Sequence, residues 1–600
     1  MRPPGGCATP VTGREATPET VHKTGRYCMY TEILVPEVMA SMVPEGFPFD
    51  KLSKPQYKVK VEKDVFVEMR DGVKVAVDVY RPDAPGQFPA LYASSPYQKD
   101  LYYLPPVPTF HMRETNKIEW FVERGFCYIN HDIRGSGKSV EGQWRWHSLE
   151  EQHDHPDVIE WIAAQPWCTS KVGMIGESYY AWTQWMAAAQ APPHLACIVP
   201  FDGGADMYRD VAYHGGIMAT GFPAGWHITE LRGHYRVGRK AEDSTQGDWD
   251  LAWNVINHQT CDDFWQERNP DFHKIACPVF SVGILHKVGI HLRGNLRGYE
   301  EVSTPKKLML CHGDFEGDEV AIFESIEVRN WLLRWYDHWL KGNDTGIMDE
   351  PAVNVFVRGK ERYRRENEWP LARTEYTKLY LSGAKSGAVV SLNDGGLSWN
   401  EPTVSEDSFT YSYPDPDWTG FSGVGTAVME RGILNPCKKI LTFTTPPMAE
   451  DTEVIGNTVL VLYASSDQPD TEFLVRIWDQ FPDETQAPGM PPAGRILTRG
   501  WLKASHAVTK DVARSRPYRP YYRHDKPEPI EPGKIYKYEI EIWGTANCFL
   551  KGHRLRLDLA NGDSNALDFG GHYYGLKVGE DTVYFDAERP SHLVLPVIPA

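Results

Sequence analysis

Gly176-Glu177-Ser178-Tyr179-Tyr180 is the stretch of this 600-residue chain best suited to covalent chemistry. Val172 to Ile175 precede it as an apolar run of strand length, and Trp182 to Ala191 follow as an apolar helical run. A serine in a tight strand-to-helix turn has its hydroxyl exposed, with the first N–H groups of the helix close by. This is the arrangement of a nucleophile elbow, in which Ser178 would attack an acyl carbonyl. The strict Gly-x-Ser-x-Gly pattern is not met, because Tyr180 stands at its last position. The competing account is a purely structural strand–helix turn.

Two other motifs carry less. Arg134-Gly-Ser-Gly-Lys-Ser139 resembles a phosphate-binding loop, but the glycine needed five positions before Gly137 is Asp132. His147, His153 and His155 cluster with Asp154 and Asp157, yet a spacing of two does not share a helix face. Pro156 with Asp157 after it predicts a solvated helix start there rather than a metal site. No cofactor and no metal are called for.

Composition narrows the partners. A net charge of −18 excludes a nucleic-acid partner, since no basic stripe exists to neutralise phosphates. No run reaches membrane-spanning length, and the N-terminus has no apolar core of a secretory signal. The ten cysteines are scattered without a C-x-x-C pair, which fits buried free thiols in a reducing compartment. The expectation is a cytoplasmic protein with a small-molecule substrate and no membrane partner; a homo-oligomer is left open.

The elements that must position Ser178 follow from periodicity. Residues 1 to about 55 lack a sustained pattern and form an N-terminal arm. Tyr57 to Tyr80 alternate around Arg70-Asp71-Gly72, predicting a β-hairpin or meander. Phe88–Ser94, Phe126–His131, the elbow strand and Leu195–Pro200 alternate with helical segments, which predicts a parallel sheet covered on both faces. Residues 206–269 interrupt that rhythm with Trp226, Trp249, Trp253 and Trp265, and are predicted to be helices and loops inserted over the sheet edge. Strands resume at Pro278–Val282 and Lys307–Leu310, and a helix is predicted from about Glu319 to Leu340. Beyond Pro351 short turn-separated strands predict a β-sandwich or jelly roll. The domains are thus an arm (1–55), an α/β domain (56–205 and 270–349), a helical cap (206–269) and an all-β domain (350–600).

Several of these stretches together resemble the X-prolyl dipeptidyl-peptidase/cocaine-esterase-like (CocE/NonD) family of α/β-hydrolases. They are Met69-Arg-Asp-Gly-Val-Lys-Val, Ser95-Pro-Tyr97, Asp132-Ile-Arg-Gly-Ser-Gly-Lys-Ser139, Ile159-Glu-Trp-Ile-Ala-Ala-Gln-Pro-Trp167, Gly176-Glu-Ser-Tyr-Tyr-Ala181 and Gly552-His-Arg-Leu-Arg-Leu557. The family elbow is Gly-x-Ser-Tyr-x-Gly, so Ala181 is the one departure. The resemblance implies an α/β-hydrolase domain with an inserted helical cap and a C-terminal jelly roll. It also implies a serine hydrolase acting on an ester or amide through an acyl-enzyme on Ser178, with acyl transfer as a variant. The Tyr97 hydroxyl and the Tyr179 backbone N–H would form the oxyanion hole.

The same resemblance exposes a gap. The base is expected after the last core strand, where His312 stands, although the family's Gly-Pro-Trp-x-His places its histidine a few residues later. The acid is expected after Pro278–Val282, but His286 occupies that place and no carboxylate precedes Glu300. His286 orienting His312, a substitute acid such as Asp314 or Asp318, and a degraded triad in a slow or ligand-binding protein are the three accounts.

Overall fold

The computed structural model describes residues 36–103, 114–219, 221–231, 249–314, 318–391, 393–413, 440–486, 493–562, 571–572 and 578–599. Most of the expected N-terminal arm lies outside them. The described part of the arm contains the short helix Pro36–Met42, which buries Val38, Met39 and Met42.

The first part of the chain builds a ten-stranded sheet. Its strands begin with β1 (Val59–Glu68), β2 (Lys74–Pro82), β3 (Phe88–Ser95), β4 (Cys127–Asp132), β5 (Cys168–Met174) and β6 (Leu195–Ile198). After a two-stranded hairpin in the inserted segment, β7 (Tyr213–His214) and β8 (Ile217–Met218), come β9 (Val279–Ile284), β10 (Lys306–Cys311), β11 (Val353–Val357) and β12 (Arg362–Glu366). The order across the sheet is β1-β2-β4-β3-β5-β6-β9-β10-β11-β12. Gly72, at φ +84°, turns β1 into the antiparallel β2. From β4 to β11 neighbouring strands are parallel. Their apolar, non-alternating sequences suit burial on both faces, and every residue of β4 and β9 is buried. This arrangement puts the ends of β3, β5, β9 and β10 on one edge, where ligands of such sheets bind.

Three boundaries differ from the sequence expectation. The sheet continues past 349, because β11 pairs with β10 and β12 pairs with β11, carrying it to Glu366. The helix expected from Pro156 begins at Leu149, where the Ser148 hydroxyl accepts the Glu151 N–H, and Pro156 lies inside it. Asp154 and His155 are consequently buried rather than solvated, and Asp154 pairs with Arg134 at 2.5 Å. The single long helix near 319–340 is two, Asp318–Phe323 and Ile326–Trp339, the second capped by Ser325.

The C-terminal part is mostly β. Its strands are β13 (Glu375–Ser382), β14 (Gly395–Ser398), β15 (Ser408–Tyr413), β16 (Leu441–Thr444), β17 (Thr452–Ser466), β18 (Glu472–Gln480), β19 (Gly494–Lys503), β20 (Tyr536–Phe549), β21 (Arg554–Ala560), β22 (Gly579–Tyr584) and β23 (His592–Ile598). Hydrogen bonding runs from β17 through β20, β19, β18, β21, β16, β14 and β13 to β23, which pairs with β17. The strands therefore close into a barrel around Leu460, Leu462, Ile540, Leu557 and Leu593, rather than showing the two separate sheets of the expected jelly roll. Arg293 ties the parts together, holding Asp210 of the inserted segment at 2.8 Å and Glu541 of β20 at 3.2 Å. No helix among the described residues is long and apolar enough to cross a membrane.

Candidate active site

Ser178 sits between β5 and the wholly buried helix Tyr179–Ala189. Its backbone has φ 57° and ψ −115°, a conformation unfavourable for an L-residue and costing on the order of 1–3 kcal/mol. Surrounding bonds hold it there. The Ser178 N–H is shared between the carbonyls of Phe201 (3.1 Å) and Asp202 (3.2 Å). The Ser178 carbonyl accepts the N–H groups of Ala181 and Trp182, both at 2.9 Å. Gly176 is required beneath it: φ is +134°, and a Cβ there would lie 2.3 Å from that of Tyr180. Ala181 is tolerated in place of glycine because Gly203 faces it; a Cβ on Gly203 would come within 2.6 Å of the Ala181 methyl.

Tyr97 follows β3, its N–H bonded to Ser95 Oγ at 3.1 Å and its ring 6.1 Å from that of Tyr179. The indole of Trp226, from the inserted segment, donates to the Tyr97 hydroxyl at 3.1 Å. Tyr179 contributes backbone and side chain differently. Its N–H is at the first turn of the elbow helix, where no intrahelical acceptor exists. Its hydroxyl donates to Glu151 Oε1 at 2.8 Å and accepts from Trp144 Nε1 at 3.2 Å. Trp146, His147, Trp182 and Trp226 pack around these tyrosines as an aromatic wall.

His286 and His312 are not hydrogen-bonded to each other. Nδ1 of His312, just past β10, lies 2.8 Å from the Tyr363 hydroxyl of β12. His286 instead stands against Gly313, where an added Cβ would meet its Nδ1 at 2.7 Å, with Nε2 3.7 Å from Glu319 Oε2. Burial, then Lys287 and Arg358, hold His286 well below the ordinary histidine range. The hydrogen-bond partner at Nδ1 of His312 is thus Tyr363 and not His286. The alternative acids are also engaged elsewhere: Asp314 lies 3.1 Å from Arg495, and Asp318 Oδ2 accepts the Asp314 N–H at 2.8 Å.

Beneath the elbow, Glu177 is buried and pushed well above the carboxylate range, chiefly by burial and then by Glu319, Glu114 and Asp202. Lys287 opposes that shift and pairs with Glu319 at 2.8 Å. The sequence marks neither Tyr363 nor this acidic pocket, and marks Trp226 only as one tryptophan of the inserted segment. Their partners are distant in the chain, and the only hint was the density of tryptophan in 206–269.

Comparison with known proteins supplies the family. Residues 71–314 match the model of the X-Pro dipeptidyl-peptidase S15 family, and 345–594 match the X-Pro dipeptidyl-peptidase C-terminal non-catalytic domain. The chain belongs to the S15 X-Pro dipeptidyl-peptidase-like family. By that membership it is a hydrolase. Among S15 relatives, the cocaine esterase of Rhodococcus sp. is 28% identical over 90% of this chain and 98% of its own. A putative Xaa-Pro dipeptidyl-peptidase of Bacillus anthracis is 24% identical over 85% of each chain. The crystal structure of a CocE/NonD family hydrolase from Staphylococcus aureus superposes with a TM-score of 0.75 at 25% identity, covering 90% of this chain and 93% of that one. An α-amino acid ester hydrolase shares the fold at 20% identity and a TM-score of 0.66.

Proposed function

We propose that this S15 hydrolase cleaves an ester or amide bond of a small molecule through an acyl-enzyme on Ser178. The observation that carries the reading is the strained backbone at Ser178, held by bonds to Phe201, Asp202, Ala181 and Trp182. Strain maintained by so many contacts at a strand–helix turn serves to present a side chain. Ser178 Oγ attacks the carbonyl carbon, its proton passing to Nε2 of His312. The Tyr97 hydroxyl and the Tyr179 N–H receive the oxyanion. Collapse expels the alcohol or amine with the proton returned from His312, and water repeats the sequence to release the acid.

In this scheme Tyr363 holds Nδ1 of His312, so that Nε2 is the acceptor. β12 lies on the opposite side of β10 from β5, so a bond to Tyr363 turns Nδ1 away from the elbow strand. The aromatic wall of Trp146 and Trp182 supports an acyl or aryl substituent. The test is stopped-flow hydrolysis of p-nitrophenyl acyl esters, with a burst equal to one nitrophenolate per active site expected.

A second reading, a ligand-binding member without turnover, is motivated by His286 in the place of the family's acid. It is favoured if no burst forms and Ser178→Ala leaves ligand affinity unchanged.

A further inference from the structure

We propose that Trp226 is a positioning residue that aims the Tyr97 hydroxyl, so that the inserted cap segment sets the strength of the oxyanion hole. The proposal rests on the reading of Tyr97 as an oxyanion donor. Trp226 lies at the end of the short helix Gly221–Trp226, far in the chain from β3, and is buried. Its indole Nε1 lies 3.1 Å from the half-buried Tyr97 hydroxyl.

An indole N–H can only donate, whereas a phenol both donates and accepts. At this bond the phenol oxygen is therefore the acceptor, and its own proton is directed to another partner. Accepting a hydrogen bond also polarises the phenol, making its O–H a stronger donor. Both effects favour an oxyanion in front of Tyr97. Without the indole, the hydroxyl can rotate among competing acceptors and must be reoriented at each turnover.

The indole is itself fixed. Phe222 stacks on it at 5.4 Å and 14°, while Trp182, Tyr179 and Trp146 pack against it at 5.9, 6.0 and 6.1 Å. Tyr179 is also the residue whose backbone N–H is the second proposed donor. One cap side chain thus touches the ring of one donor residue and the donating hydroxyl of the other. A shift of the cap would alter the hole without moving Ser178.

The test is a double-mutant cycle on ester hydrolysis by the full chain. Trp226→Phe keeps an aromatic ring in the stack and removes the N–H. The expected result is a fall of about 3- to 10-fold in kcat with little change in KM, the range of one hydrogen bond. Tyr97→Phe is expected to lower kcat by about 100-fold, as for other oxyanion donors. Trp226→Phe should then cost nothing further in the Tyr97→Phe background, because it acts only through that hydroxyl. Trp226→Leu, a second donor-free replacement, should behave the same way in the cycle. Unchanged kcat on loss of the indole, or an equal loss in both backgrounds, would overturn the positioning role and leave the oxyanion reading of Tyr97 standing. Full activity in Tyr97→Phe would instead remove that reading and the proposal with it.

Discussion

The hydroxyl of Tyr363 lies 2.8 Å from Nδ1 of His312, and its oxygen also accepts the His312 backbone N–H at 3.3 Å. When the Tyr363 oxygen accepts from Nδ1–H, the tautomer is the one that leaves Nε2 basic. Burial pushes the phenol far above its ordinary range, so it stays protonated at neutral pH. In the proposed mechanism it would orient an imidazolium at His312 but stabilise it less than a carboxylate would.

Tyr363→Phe is expected to lower kcat/KM for p-nitrophenyl esters roughly 10-fold, the loss of one hydrogen bond to a charged intermediate. His312→Ala should lower it by roughly 1000-fold or more. Activity unchanged in Tyr363→Phe, with His312→Ala inactive, would show that Tyr363 does not orient the base.

His286 gives a contrasting expectation. Its ring makes no hydrogen bond to His312, so His286→Ala should leave kcat/KM within about 3-fold of the parent, an indirect packing effect. His286→Asp introduces a carboxylate near Glu319 and is expected to destabilise the fold by roughly 2–4 kcal/mol in urea unfolding. Complete loss of turnover in a folded His286→Ala variant would place His286 back in the relay.

The pH dependence of stability can be followed at His506, whose Nδ1 lies 3.0 Å from that of His524. Burial, assisted by Lys503 and opposed by Asp470, lowers His506 from 6.5 to about 4. The folded state therefore binds fewer protons here than the unfolded state between those values. Its contribution is fully present above pH 6.5 and is lost as pH falls towards 4, at up to about 1.4 kcal/mol per pH unit. His506→Gln should lose less Tm than the parent between pH 7 and pH 5. An equal loss in both proteins would contradict this assignment.

The elbow and its sheet were legible because they rest on local rules. Gly176 and Ser178 occupy positions where backbone geometry dictates residue type, and the apolar runs of β3, β4 and β5 dictate a buried parallel sheet. The start of the helix Leu149–Ala163 was not legible: Pro156 signals a helix start by local rules, yet it is accommodated inside the helix as its eighth residue. The end of the α/β domain was not legible: β11 and β12 have the same short-strand pattern as the barrel that follows, and only pairing with β10 assigns them. The relay was least legible. His286 and His312 both follow the appropriate strands, but spacing does not tell which way a side chain turns. Tyr363 reaches His312 through an antiparallel hairpin that brings β12 back beside β11, a contact no local motif records.

The central claim, that Ser178 is an activated nucleophile, is tested most directly by intact-protein mass spectrometry after incubation with a fluorophosphonate. The expected result is one adduct per chain, mapped by peptide sequencing to Ser178, absent in Ser178→Ala and formed at least 10-fold more slowly in His312→Ala. No adduct on the folded parent protein, or an adduct formed equally fast in Ser178→Ala, would contradict it.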